Sequence, residues 1–272
     1  MKRRACLHAL ALAGSALSIS PVLARHHQQV ATVGLQLYTV RQQMADDAAA
    51  TLEAVAAAGY GEVETAGTGN LGALEFAQAL SNAGLTAPAA HLPLNMIDEQ
   101  PDEVLAMAQM IGYRYIVIPW LPPEMRDETG YAQAIATLNR FGERSAAEGV
   151  QTCYHNHDFE FKSINGTKPF DRMLTDCDRH LVQFELDLFW AAHAGIDAKA
   201  YLSADPSRYP LCHIKDRTSE GEMADVGAGT IDFPMLFAAG TGLQHYFVEH
   251  DRPRDPMTSI RTSIQAVKDM RF

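Results

Sequence analysis

The chain has 272 residues, of which 47% are hydrophobic and 20% are charged, a composition typical of one large globular domain with a substantial core. Its formal net charge is −11. Because an acidic chain repels nucleic-acid phosphates, we expect no nucleic-acid partner. No stretch reaches the roughly 18 unbroken apolar residues that a membrane span requires.

The first 24 residues have the composition of an export signal. Lys2-Arg3-Arg4 is basic, residues 5–18 are apolar, and Val22-Leu23-Ala24 fits a small-residue cleavage site. We therefore expect a signal peptide over residues 1–24, a mature domain over residues 25–272, and a periplasmic or secreted location. The Arg3-Arg4 pair also allows a twin-arginine signal. Loss of the three basic leader residues would take the formal charge from −11 to −14.

Eight β-rich runs alternate with eight helical patterns behind this leader, at about 30 residues per unit. The predicted strands are 33–38, 61–64, 86–91, 113–119, the run that begins the stretch 150–161, 181–187, 210–215 and 244–249. The predicted helices are 46–58, 71–83, 100–111, 131–148, 170–177, 198–202, 233–239 and 256–270. Alternating βα units predict a parallel sheet, and eight of them predict a single (β/α)8 TIM barrel. A doubly wound sheet is less consistent with the sequence, because no dinucleotide-binding GxGxxG motif is present.

Polar side chains gather at the predicted carboxyl ends of these strands, which is where barrel proteins carry out chemistry. The interior-facing set comprises Gln36, Glu64, His91, His155, His157, Glu185, Asp187, His213, Lys215 and Glu249. So many buried ionisable groups are costly unless they are paired or hold a cation. A lone histidine is more often a satisfied core residue, but three consecutive strands end in the ligand-type residues Asp187, His213 and Glu249. Mixed carboxylate and imidazole ligands predict a divalent metal site there.

Several motifs in chain order resemble the xylose isomerase-like TIM-barrel superfamily, which includes the sugar phosphate isomerases and epimerases. The motifs are the segments 34–41, 59–64, 154–157, 213–216, 226–232 and 248–249. The resemblance implies one divalent metal (Mn, Zn, Co or Mg) held by a strand-five glutamate together with Asp187, His213 and Glu249. At the strand-five position this chain has His155, with Glu160 five residues later. Either side chain could be the fourth ligand, and we favour Glu160.

The resemblance further implies a metal-dependent isomerase or epimerase that removes an α-proton from an unphosphorylated sugar or ketosugar. We expect Glu249 to move one proton, with His157 or Glu160 as its counterpart. The expected substrate-binding residues are His91, His155, Lys215, Gln36 and Trp120. Since barrel enzymes of this kind often dimerise, a homodimer is compatible with the resemblance.

Three other functions remain open from the sequence. One is a 3-keto-glycoside lyase or hydrolase, or an inosose-type dehydratase, on the same scaffold. Another is metal-dependent phosphodiester cleavage, because a DNA-repair endonuclease shares the superfamily, but the acidic charge disfavours it. The last is an exported sugar-binding protein that kept the pocket and lost the chemistry.

Overall fold

A computed structural model describes residues 28–272, so the predicted signal peptide lies outside the described residues. The strands, in chain order, are β1 (Gly34–Gln36), β2 (Glu62–Thr65), β3 (Thr86–His91), β4 (Tyr115–Ile118), β5 (Gln151–His155), β6 (Val182–Asp187), β7 (Leu211–Ile214), β8 (Asp216–Arg217), β9 (Met223–Ala224) and β10 (His245–Val248). Eight of them close into a parallel barrel in the order β1-β10-β7-β6-β5-β4-β3-β2. The other two, β8 and β9, form a small antiparallel hairpin. The predicted eight-stranded parallel barrel is therefore confirmed.

Helices connect the strands around the outside of the barrel. They are α1 (Arg41–Ala58), α2 (Ala73–Ala83), α3 (Leu94–Glu99), α4 (Pro101–Ile111), α5 (Glu128–Ala147), α6 (Pro169–Asp176), α7 (Leu188–His193), α8 (Ala198–Ala204), α9 (Phe233–Ala239) and α10 (Pro256–Asp269). Helices α1, α2 and α4 end at Gly59, Gly84 and Gly112, whose φ angles of 106°, 70° and 96° fall in the left-handed region that glycine adopts without strain. The short helices α3 and α7 and the β8–β9 hairpin were not predicted from the sequence.

Two apolar cores hold the barrel together. The larger one lies between the strands and the helices. The smaller one fills the barrel interior with six buried residues, namely Ala89, Tyr115, Val117, Cys153, Leu211 and Phe247. Gly34 is required here, because a Cβ at this position would lie 2.3 Å from Phe247 Cδ1. Charged side chains therefore collect at the two ends of the interior.

The part of the chain that the structure describes contains no helix long and apolar enough to cross a membrane. Cys153, Cys177 and Cys212 are buried and free. They pack as small apolar side chains, as the irregular cysteine spacing predicted.

Candidate active site and metal centre

A cavity of about 690 Å³ opens at the carboxyl ends of the strands. A pocket of this size is typical of small-molecule sites. It brings together six of the predicted site residues, namely His91, Trp120, His155, His157, Lys215 and Glu249. Tyr38, Arg41 and Arg252 complete its rim, and the sequence analysis had not assigned any of these three to the site.

Lys215 lies at the centre of a group of carboxylates at the barrel mouth. Its Nζ is 3.0 Å from Asp187 Oδ2, 2.5 Å from Glu249 Oε2 and 3.0 Å from Asp251 Oδ1. The Lys215 side chain is only 2% exposed. We call His155, Asp187, Lys215 and Glu249 the mouth cluster.

The carboxylates of the mouth cluster are ionised although they are buried. Burial alone would raise the pKa of Asp187, but the Lys215 ammonium and the imidazoles of His155 and His213 hold it well below its usual value. Lys215 and His213 likewise outweigh burial at Glu249 and lower its pKa. Burial raises the pKa of Asp251 despite Lys215. Three carboxylates thus share one ammonium group, which leaves negative charge to be compensated.

His155 turns its Nε2 toward this group. Its Nδ1 lies 3.1 Å from the carbonyl oxygen of Pro119, and a carbonyl oxygen can only accept a hydrogen bond, so Nδ1 carries a proton. Nε2 lies 3.2 Å from Asp187 Oδ2, where it can donate to the carboxylate or, with a cation between them, bind that cation through its lone pair. A metal-binding histidine typically donates its second ring N–H to an oxygen in this way.

His213 connects the mouth cluster to a second polar layer below it. Its Nδ1 lies 2.9 Å from Glu249 Oε2 and 3.6 Å from Asp187 Oδ2, yet this buried atom makes no hydrogen bond. Its Nε2 is 2.7 Å from Glu64 Oε2 and 3.2 Å from Glu185 Oε2. We call Glu64, His91 and Glu185 the floor cluster.

The donor atoms of the mouth fit a divalent cation. One atom each of His155, Asp187 and His213 lies within 4.8 Å of the others, and Glu249 adjoins the unpartnered Nδ1 of His213. Burial would lower the pKa of His213, but Glu185 and Glu249 raise it well above its usual value. The site therefore needs positive charge at this ring, supplied by a proton or by a metal ion.

His157 is the uncommitted base of the cavity. Its ring stacks on Phe159 with centroids 5.4 Å apart and packs against Trp190 at 5.2 Å. Its Nδ1 is buried without a hydrogen-bond partner among the described residues. Burial, reinforced by His155 and Lys215, lowers the pKa of His157 well below its usual value, so the ring is neutral.

Glu160 has both carboxylate oxygens hydrogen-bonded to groups outside the mouth cluster, which disfavours the ligand and proton-transfer roles that we expected of it. Its Oε1 accepts a hydrogen bond from the Tyr154 hydroxyl at 2.6 Å, and its Oε2 accepts one from the His157 backbone N–H at 2.8 Å. Tyr154 belongs to the outer core, because strand residues alternate and His155 points inward. Glu160 is therefore held on the outer side of the barrel wall, and the geometry favours His155 at the strand-five position.

Gln36 also makes its hydrogen bonds outside the substrate cavity. It is completely buried, its Oε1 accepts from the Tyr38 backbone N–H at 3.0 Å, and its Nε2 donates to Glu64 Oε2 at 2.8 Å. Gln36 thus supports the floor cluster. His91 belongs to both regions, since it lines the cavity and lies 2.8 Å from Glu185 Oε2 and 3.1 Å from Glu64 Oε2. These two carboxylates raise the pKa of His91 to about 9, against the opposing effect of burial.

Fold and site together define a parallel (β/α)8 barrel with a cavity of ionisable groups at its carboxyl end. The sequence profile of the xylose isomerase-like TIM barrel family matches residues 52–269, and the chain belongs to this family. Comparison with curated proteins gave no significant sequence match.

Solved structures agree with this assignment. A sugar phosphate isomerase/epimerase from Parabacteroides distasonis is 26% identical, with 88% of this chain and 95% of that chain covered and a TM-score of 0.76. The IolI protein with a bound zinc atom is 16% identical over 88% and 97% of the two chains, with a TM-score of 0.70. The 3-keto-D-glucoside 4-epimerase YcjR from E. coli is 16% identical over 89% and 100%, with a TM-score of 0.67. At 16% identity, the last two similarities show the common fold alone.

Proposed function

We propose that this protein is a divalent-metal-dependent isomerase or epimerase that acts on an unphosphorylated sugar or ketosugar by abstracting an α-proton. The observation that carries the proposal is the inward-facing pair of His155 and His213 nitrogens beside the carboxylates of Asp187 and Glu249. We assign these four residues as the metal ligands, with His155 in place of Glu160. The name of the 26%-identical sugar phosphate isomerase/epimerase from Parabacteroides distasonis supports isomerase or epimerase chemistry.

The residues around the cavity have different roles in the proposed reaction. A divalent cation held by His155, Asp187, His213 and Glu249 would polarise the substrate carbonyl and the adjacent hydroxyl and so ease removal of the α-proton. We assign His157, whose neutral ring has an unpartnered nitrogen, as the group that takes this proton. Glu249 exchanges a proton from another direction, because β10 and β5 lie three positions apart around the barrel. His91 donates a hydrogen bond to a substrate oxygen, and Trp120 packs against the sugar ring. The substrate-binding role expected for Lys215 is disfavoured, because its three N–H donors already face Asp187, Glu249 and Asp251.

Elimination from a 3-keto-glycoside is a second candidate reaction, and one observation favours it. Pro93 and Trp120 line both the mouth cavity and an adjoining groove of about 600 Å³. The side chains of Asn95, Asp98, Gln133 and Arg140 line this groove and offer hydrogen bonds to hydroxyl groups. The combined space has room for a second sugar ring.

Metal content and proton exchange together test the proposed function. We expect about one divalent ion per chain in the mature protein by elemental analysis. We also expect the protein to exchange the α-proton of its substrate for deuterium in D₂O, followed by NMR over ketopentoses, ketohexoses and 3-keto-glucosides. The Asp187→Ala and His213→Ala variants should lose the ion, and their exchange rate should fall on the order of 10³-fold, since a Lewis-acid metal contributes several kcal/mol.

His245→Ala is the matched control for His213→Ala, because His245 is also buried and paired with a glutamate, but at the opposite end of the barrel. We expect this variant to keep its metal. Tight sugar binding without metal or proton exchange would instead identify the chain as a sugar-binding protein. Loss of metal from the His245→Ala variant as well would remove the assignment of the site to the mouth.

A further inference from the structure

The floor cluster and His213 together form a closed ring of hydrogen-bonding atoms. Glu64 Oε2 and Glu185 Oε2 alternate around this ring with the Nε2 atoms of His91 and His213. The four N–O separations are 3.1, 2.8, 2.7 and 3.2 Å. Ligand atoms about 2.0–2.1 Å from a tetrahedral zinc lie roughly 3.4 Å from one another. The shorter separations here are those of hydrogen bonds, so the ring has the geometry of a hydrogen-bonded support for the site above it.

The direction of the hydrogen bonds at Glu64 follows from the backbone. The Tyr38 backbone N–H can only donate, so the Gln36 atom that it contacts is the amide oxygen Oε1. The other end of that amide is then the NH₂ group, which donates to Glu64 Oε2. Glu64 Oε2 therefore accepts, and the His213 Nε2 atom 2.7 Å away supplies an N–H. Gln36 links this arrangement to the rim, because Tyr38 lines the cavity.

From this chain of contacts we infer that Glu64 is a positioning residue that keeps the proton of His213 on Nε2 and so presents the Nδ1 lone pair to the mouth cluster. The inference rests on the proposed metal site. Glu185 reinforces it from the other side at 3.2 Å, and strand β2 holds Glu64 in place without exposure to solvent. Outer partners that orient a metal-binding histidine in this way typically contribute about 10–100-fold to metal affinity.

Glu62 supplies the matched control, because it lies two residues before Glu64 on β2 and is also buried and paired with a histidine. Its partner is His245, which does not belong to the mouth or floor cluster. We would measure Zn²⁺ affinity by competition titration for the unaltered protein and for Glu64→Ala, Glu64→Gln and Glu62→Ala. In parallel, ¹⁵N-histidine NMR would report which ring nitrogen of His213 carries the proton, with and without Zn²⁺, in a pH series that extends to the neutral ring.

We expect Glu64→Ala to weaken Zn²⁺ binding about 10–100-fold and to shift the His213 proton toward Nδ1. Glu64→Gln should retain the Nε2 proton and recover most of the affinity, because its amide oxygen can accept at the Oε2 position while its NH₂ takes the place of the unpartnered Oε1. Glu62→Ala should match the unaltered protein in both measurements.

Equal Zn²⁺ affinity in Glu64→Ala and Glu62→Ala, with an unchanged His213 ring, would overturn the inference. If Glu64→Ala does not fold, the unaltered protein still decides the matter, because a neutral His213 ring protonated at Nδ1 contradicts it. Failure of the unaltered protein to bind any divalent ion would instead count against the proposed function, while the position of the ring proton would still test the role of Glu64.

Discussion

The two ends of the barrel interior use the same residue types but compensate their charges differently. At the amino end, the Arg114 guanidinium donates to His245 Nε2 at 3.0 Å, so the neutral ring carries its proton on Nδ1. That Nδ1 lies 2.9 Å from Glu62 Oε2. The series of one cation, one imidazole and one carboxylate is complete, with every polar atom of the His245 ring satisfied.

At the carboxyl end, the negatively charged groups outnumber the positively charged ones. Asp187, Glu249 and Asp251 share the single ammonium of Lys215. One ring nitrogen of His155 is hydrogen-bonded to the Pro119 carbonyl oxygen, and one of His213 to Glu64. The other nitrogen of each ring faces these carboxylates. The difference teaches that histidine–carboxylate pairs alone do not indicate a metal site. The uncompensated charge and the unpartnered nitrogen distinguish the candidate functional end from the amino end.

Replacement of the positively charged side chain at each end should give the largest difference in stability between the two ends. We expect Lys215→Met to lower the free energy of unfolding of the metal-free protein by about 3–5 kcal/mol, because it leaves buried carboxylates unpaired. Arg114→Met should cost about 1 kcal/mol or less, since Arg114 is exposed. Urea denaturation with and without saturating Zn²⁺ is the measurement, and Zn²⁺ should recover part of the loss in Lys215→Met only. Equal losses in both variants would contradict the contrast between the two ends.

Glu160 tests what happens to a buried carboxylate that has no such cation. Among the described residues it forms no ion pair, and burial raises its pKa from 4.5 to about 7 despite the hydrogen bonds from Tyr154 and His157. Because the pKa in the folded state is above that in the unfolded state, the neutral carboxyl stabilises the fold fully below about pH 4.5. That stabilisation is lost as the pH rises through about 7.

The Glu160→Gln variant isolates this effect, because the amide stays neutral at every pH. Between pH 4.5 and 8, we expect the unfolding free energy of Glu160→Gln to rise by about 3 kcal/mol relative to the unaltered protein. Urea unfolding across this range measures the difference, and Glu124→Gln at the exposed surface controls for the change in net charge. A pH-independent difference would show that Glu160 is ionised in the folded protein throughout.

The sequence predicted much of this architecture because its signals are local. Hydrophobic periodicity and terminal glycines located the barrel strands and most helices, and strand alternation predicted that His155, Glu185 and Asp187 point inward. The choice between His155 and Glu160 depended on the path of the loop after β5. A short 3-10 turn at Phe159–Phe161 returns Glu160 to Tyr154 on the outer wall, and spacing alone could not reveal this.

Other features of the site cannot be predicted from the residue types alone. The Pro119 carbonyl, which orients His155, is a backbone group that any residue could provide. Gln36 faces the interior as predicted, but its hydrogen bond from the Tyr38 backbone turns it toward the floor cluster. Such roles depend on distances across the barrel between strands that are far apart in the sequence, as with Glu64 and His213.

Trp120 should have the smallest effect, and it distinguishes the rim of the carboxyl end from its ionisable interior. Its side chain is 43% exposed, and the Arg126 guanidinium lies 4.8 Å from its ring centroid. If Trp120 packs against the sugar equally in the ground state and the transition state, as we propose, Trp120→Ala should raise KM about fivefold, which corresponds to roughly 1 kcal/mol of aromatic packing, with kcat little changed. Trp120→Phe should retain most of the affinity. Steady-state kinetics of the two variants test this expectation, and a fall in kcat comparable to that of Asp187→Ala would place Trp120 in the chemical step instead of at the rim.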